Sequence, residues 1–171
     1  MNGQNADDLA ACDLSGDVEL SVKACTRLIA KNPQDDVAYF NRAIGYDDKK
    51  DFDSAISDYS KAIEINPSAT ALGNRGFVYT HKRDNDHAFA DYARAEAVDA
   101  GHAETFFHRG NAYDDVKEFE RAAIEYSKEI ARDSSQADYY SDRGLAYAAN
   151  GEYDRAIADY DKALAIAPSD A

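Results

Sequence analysis

The sequence predicts an all-α solenoid of stacked antiparallel helical hairpins, and three observations carry that reading. Four segments of the 171-residue chain align in register and share residue types column by column, with a step of 33 residues once and 34 twice. Within each segment, apolar and aromatic side chains recur at three- and four-residue spacings, the period of a helix face. Only three prolines occur, Pro33, Pro67 and Pro168, each just after such an apolar stripe, and the first two are 34 residues apart.

In chain order, residues 1–34 form an eroded copy of the repeat. Its second half, DVELSVKACTRLIAKNP (Asp17–Pro33), aligns without a gap with DFDSAISDYSKAIEINP (Asp51–Pro67), placing Cys12 where Tyr46 stands and Cys25 where Tyr59 stands. Full repeats follow at 35–68, 69–102, 103–136 and 137–170, so a single domain of ten helices is expected. An arginine followed by a small residue recurs at Ala43, Gly76, Gly110 and Gly144, and a tyrosine lies three positions later at Tyr46, Tyr79, Tyr113 and Tyr147. Ala55, Ala88, Ala122 and Ala156 are each followed four positions on by Tyr59, Tyr92, Tyr126 and Tyr160. The small residues let two helices approach, and the rings fill the space around them. Fourteen of the nineteen aromatics fall in the columns of Tyr39, Tyr46, Phe52 and Tyr59 and are read as core; burying each contributes roughly 1.5–3 kcal/mol, largely offset by chain entropy. Asp47–Asp51, Lys82–Asp86 and Gly151 read as turns within hairpins. Asp17 and Asp51 precede second helices, where a carboxylate caps orphan N–H groups.

The copies differ in ways that matter. In the second full repeat, Leu72 and Asn85 replace aromatics, Gly73 sits inside a helix, and Ala100-Gly101 stands where a closing proline is expected. Looseness or a change of pitch is expected there. Glu129 occupies a column held elsewhere by Ala62, Ala95 and Ala163, and needs either a basic partner or a route to water. Terminal repeats need a polar outer face, so the stripe of Ala156, Tyr160, Ala163 and Leu164 is expected to be partly bare.

Two columns are electrostatic. Arg42, Arg75, Arg109 and Arg143 lie at nearly the same height as Asp58, Asp91, Glu125 and Asp159 on the facing helix, which predicts bridges within or between adjacent repeats. Read as exposed pairs, these stabilise by only about 0–1 kcal/mol each. Cys12 and Cys25 lack the spacing of a redox pair or a zinc site. They are either small core residues on facing helices or a disulfide, which would imply an oxidising compartment. A height offset of roughly 6 Å at 1.5 Å rise per residue, added to the 8–10 Å between helix axes, argues against a Cα separation of 4.4–6.8 Å and hence against the bridge.

Composition excludes several functions. Thirty-three acids against nineteen Lys and Arg give a net charge of −14, with no basic run longer than two residues, so nucleic acid is excluded as the expected partner. No stretch approaches the roughly 20 apolar residues that cross a bilayer. No signal peptide is visible at the start, so the cytoplasm is the default compartment, with the periplasm or secretion as the alternative if a signal was removed. His81, His87, His102 and His108 form no metal-ligand pattern, and the Asp47-Asp48 and Asp114-Asp115 pairs lack the glycine of a cation loop. With no phosphate loop or nucleophile elbow either, no enzyme activity, cofactor or metal site is expected.

The columns resemble the tetratricopeptide repeat, a 34-residue helix-turn-helix unit, over about 135 residues from Asp35 to Pro168. The resemblance implies a right-handed superhelix whose concave face is lined by the first helix of each repeat. On that face it would set a floor of Phe40, Ile44, Phe77, Phe107 and Leu145, with Asn111 and His81, edged by Asp47, Asp48, Glu104, Asp114, Asp115 and Asp138. One use of the family is a Lys/Asn/Arg clamp on an acidic C-terminal carboxylate. Asn41 and Asn74 match one clamp column, but Thr70, Glu104, Asp138, Ala6, Phe40 and Gly73 stand in the cationic ones, which disfavours an anionic tail. The expectation is therefore a non-catalytic scaffold that binds a partner segment carrying apolar anchors and Lys/Arg flanks. The alternative is a structural module that self-associates or docks end to end through its uncapped C-terminal repeat.

Overall fold

A computed structural model describes residues 3–13 and 16–168; residues 1, 2, 14, 15 and 169–171, which the predicted first and last repeats include, lie outside the described residues. Among the described residues there are ten α-helices and no strand: α1 Gly3–Cys12, α2 Val18–Lys31, α3 Asp36–Asp48, α4 Phe52–Ile65, α5 Ala69–His81, α6 Asn85–Val98, α7 Ala103–Asp115, α8 Phe119–Arg132, α9 Ala137–Ala149 and α10 Tyr153–Ile166. They belong to two compact units, Met1–Ala100 with α1–α6 and Gly101–Ala171 with α7–α10. The boundary falls at Ala100-Gly101, the pair that stands in place of a closing proline.

In the first unit each helix packs on its chain neighbours from α1 to α6, and in the second from α7 to α10. The core is correspondingly a string of small clusters: Cys12, Ala24, Cys25, Leu28 and Ala38; then Ala43, Ala55, Tyr59 and Val78; then Ile63, Leu72 and Ala95; and, in the second unit, Ala122, Tyr126, Ala146, Tyr147 and Ala156.

Three hairpins, α5–α6, α7–α8 and α9–α10, close by seating a tyrosine of the second helix on a glycine of the first. A Cβ added at Gly76, Gly110 or Gly144 would lie 2.6, 2.7 or 2.8 Å from the ring of Tyr92, Tyr126 or Tyr160. The turns are equally regular. Gly16, Lys50, Arg83, Lys117 and Gly151 occupy one column and all have positive φ, from 59° to 91°, so three long side chains sit in the left-handed region that glycine adopts without strain. Asp17 and Asp51 cap α2 and α4 through Leu20 and Ser54 N–H, and Asp35, Ser68 and Asp84 do the same for α3, α5 and α6.

The arginine column bridges within each hairpin. Arg42 grips both oxygens of Asp58 at 2.6 and 2.8 Å, Arg75 those of Asp91 at 2.7 Å each, and Arg143 those of Asp159 at 2.7 Å each, while Arg109 Nη2 meets Glu125 at 2.7 Å. These are not the exposed pairs that the sequence suggests. The four carboxylate side chains are 4–9% exposed, so losing one partner strands a charge away from water. A third arm of three arginines reaches a hydroxyl on the preceding hairpin, Thr26, Ser60 or Ser127, at 2.8–3.1 Å. The second repeat has Ala93 in that column.

Two other expectations change, and a third, which left two alternatives open, is decided. Cys12 and Cys25 are joined by a disulfide with Cα atoms 4.9 Å apart. Helix Cα atoms lie about 2.3 Å from their axis, so facing Cα atoms on axes 8–10 Å apart are separated by only about 4–5 Å. Their offset along the hairpin is smaller than reckoned, since it cannot exceed the Cα separation. Second, the aromatic columns are not uniformly core. Phe52 stacks on His81 of α5 at 5.7 Å, whereas Tyr153 in the same column is 67% exposed, with no later described hairpin to cover it. Third, Glu129 is 1% exposed. Burial raises its carboxyl above the usual range, against the backbone of Phe107, the charge of Arg132 and the Tyr139 hydroxyl. It therefore stays sealed from water beside a basic residue.

Candidate functional site

The side chains expected on the concave face belong to the first helices of the hairpins, and each unit carries its own set. In the first unit, Phe40 of α3 is half-buried, edge-on to Tyr59 with ring centroids 5.7 Å apart, and Ile44 packs beside it on the same core cluster. Phe77 of α5 is half-buried and meets His81 edge-on at 4.3 Å. His81 is itself exposed. Asp48 is exposed and Asp47 half-buried; burial pushes the Asp47 carboxyl up, and His81 works against that rise. Thr80, aligned with Asp47, is buried and turns its hydroxyl to Tyr92 at 3.0 Å. A cavity of about 240 Å³ lies between α3 and α5, lined by Val37, Phe40, Ala62, Thr70 and Ala71 with Asp36, Asn66 and Ser68.

In the second unit, Phe107 of α7 is half-buried, tilted against Tyr126 at 6.4 Å and Tyr139 at 6.5 Å. The Tyr126 hydroxyl donates to Asn111 Oδ1 at 2.7 Å and lies 3.0 Å from Asp114 Oδ2. Burial raises both the Tyr126 phenol and the Asp114 carboxyl. Glu104, Asp115 and Asp138 are exposed, and Leu145 stands 58% exposed.

One residue that sequence reasoning missed belongs to this set. Asp142 of α9 is half-buried, and burial, then Asp138 and Asp114, push its carboxyl up to about 6. It stands in the same column as Asn41, Asn74 and His108, and that column alignment was the available signal.

The carboxylates therefore sort into two kinds. Asp58, Asp91, Glu125 and Asp159 are buried against arginines. Asp47, Asp114 and Asp142 are half-buried, and among the described residues none of them forms an ion pair with a lysine or arginine. Among the described residues, no group of three or more His, Cys, Asp and Glu is placed to hold a metal, and no helix is long and apolar enough to cross a membrane.

Hairpins built this way, each helix packed on its chain neighbours within its unit, define a helical-repeat protein. Two of these hairpins match the Tetratricopeptide repeat model, at residues 37–68 and 137–170, the repeat unit of a family of protein-interaction scaffolds. Solved structures share the fold. The crystal structure of MamA protein superposes with a TM-score of 0.81 at 23% identity, covering 97% of this chain and 93% of that one. MamA from Desulfovibrio magneticus RS-1 gives 0.85 at 16% identity, covering 99% and 98%. YrrB, described as a TPR protein with an unusual peptide-binding site, gives 0.77 at 17% identity, covering 98% and 86%. A search of curated proteins finds no match.

Proposed function

We propose that the protein is a non-catalytic scaffold that captures a partner segment carrying apolar side chains flanked by lysine or arginine, on the acidic, aromatic-floored face of its first helices. The observation that carries this reading is the contrast between the two kinds of carboxylate. A half-buried Asp47, Asp114 or Asp142 has lost hydration without gaining a lysine or arginine partner, so an incoming lysine or arginine restores what burial removed. Phe40, Phe77, Phe107 and the exposed Leu145 supply apolar contact alongside. The peptide-binding site reported for YrrB, which shares the fold, is in keeping with this use.

A peptide array read at low and high salt tests the proposal. Retained peptides should be enriched in Lys/Arg next to Leu, Ile or Phe. Their retention should fall with salt, because the Debye length shortens from about 10 Å at 0.1 M to about 3 Å at 1 M. Phe77→Ala with Phe107→Ala should abolish capture, while retention of acidic peptides, or indifference to those substitutions, would sink it.

A second reading has its own support. A cavity of about 300 Å³ opens at the last hairpin, lined by Ala137, Ser141, Tyr160, Ala163, Leu164 and Ala167 with Asp138, and Leu164 is 43% exposed. End-on self-association there predicts that Tyr160→Ser and Leu164→Ser change the oligomeric state seen by light scattering and leave peptide capture intact. The disulfide also bears on the compartment. Such bonds persist under oxidising conditions, which supports the periplasmic or secreted alternative over the cytoplasm. Two free thiols in a denaturing, non-reducing titration of protein from its native source would remove that support.

A further inference from the structure

We propose that the cavity between α1 and α3 docks an apolar side chain of a basic partner segment, and that the Cys12–Cys25 disulfide holds its α1 wall in place. The proposal rests on the groove reading and extends it to the eroded repeat. The cavity measures about 500 Å³; Leu9, Cys12, Leu28 and Val37 line it, with the carboxylates of Asp13 and Asp35, and its described lining contains no lysine or arginine. Leu9 is 50% and Val37 59% exposed, so two branched apolar side chains face water at its edge.

The sequence explains why space exists here. In the full repeats, aromatic rings occupy the columns of Tyr46 and Tyr59, whereas the eroded repeat has Cys12 and Cys25 in those columns and Ala6 in the column of Phe40. Smaller side chains leave volume unfilled and remove the tyrosine ring that, in three of the other hairpins, sits on a glycine of the facing helix. Two ties to α2 replace that contact. One is the disulfide. The other is Asp8, fully buried, which accepts from Arg27 Nε at 2.8 Å and Lys31 Nζ at 2.9 Å. Both ties run from α1 to α2, which leaves the α1–α3 side open. A cavity with apolar walls and only negative charge in its described lining fits an apolar anchor between cationic neighbours, which identifies the occupant by charge as well as by shape.

The test uses the full chain with ¹³C-labelled methyl groups and the synthetic peptide KKLKK, with KKSKK as the charge-matched control. The methyl signals of Leu9, Leu28 and Val37 should shift saturably with KKLKK and not with KKSKK. Leu9→Ser should weaken the interaction at least about tenfold. So should reduction by a dithiol, which passes two electrons and two protons to the bond, leaving two cysteine thiols and its own cyclic disulfide. Shifts at Ile44 or Leu145 with none at Leu9 and Val37 would overturn this inference and leave the groove reading standing; no shift anywhere would overturn both. Unchanged affinity after reduction would overturn the role of the bond. Leu9→Ser retains both cysteines, so unchanged affinity in that variant overturns the docking claim even if reduction unfolds α1.

Discussion

Removing the guanidinium of Arg42 strands the Asp58 carboxylate, whose side chain is 8% exposed and whose two oxygens are both held by that arginine at 2.6 and 2.8 Å. Breaking a buried pair by deleting one partner costs about 3–5 kcal/mol, because the remaining charge has neither water nor counter-ion. Arg42 also donates to Thr26 of the preceding hairpin at 3.1 Å and lies 5.7 and 5.8 Å from the rings of Tyr39 and Tyr46 on its own helix, so its loss removes those contacts as well. Against a typical domain stability of about 5–15 kcal/mol, Arg42→Met should therefore remove about a fifth or more of what holds the first unit folded. The double variant Arg42→Met/Asp58→Leu should recover most of the loss, since replacing both partners by apolar groups is close to neutral. Lys61→Ala, which breaks the exposed Lys61–Glu64 pair at 3.0 Å, should change stability by less than about 0.5 kcal/mol. Urea titration followed by circular dichroism measures all three. A loss below about 1 kcal/mol for Arg42→Met, or a double variant worse than the single, would refute the claim that these bridges are desolvated staples.

Gly110→Ala should destabilise the second unit by about 1–2 kcal/mol despite the better helix propensity of alanine. Its Cβ would sit 2.7 Å from a Tyr126 ring tethered through its hydroxyl to Asn111 and Asp114; thermal unfolding reads the difference. Lys50→Gly and Lys117→Gly, at φ 59° and 63°, should each stabilise by about 0.5–1 kcal/mol by relieving left-handed strain, visible as a higher urea midpoint. Asp142 titrates near 6, against 3.8 for an ordinary aspartate. The folded state thus holds a proton that the unfolded chain releases, and the stability linked to it is full below about 4 and lost as pH rises through 6. Asp142→Asn should therefore raise the melting temperature at pH 8 relative to the parent protein and flatten the pH 5–8 profile. Capture of a cationic peptide should strengthen over that same interval as Asp142 ionises, which titration calorimetry at pH 5 and pH 7.5 would measure.

The repeat register, the hairpin pairing, the capping aspartates and the arginine partners were all readable from the chain. Each is a short-range regularity, and Arg42 and Asp58 recur in step with their counterparts because every hairpin solves the same packing problem. Which side chains lie on first helices was readable, but their environments were not. Asp47 and Asp48 are adjacent in sequence, yet one is half-buried with a raised pKa and the other exposed, because desolvation sums over neighbours from other helices. Asp142 was passed over for the same reason.

What the residues alone determined is the all-α repeat: small residues and rings at fixed columns permit little else than hairpins packed one on the next. The approach of Cys12 to Cys25, the burial of the bridging carboxylates, the sealing of Glu129 and the cavity beside α1 were decided only in three dimensions. Each depends on how far one helix surface stands from another, and that distance follows from side chains widely separated in the chain rather than from any local pattern.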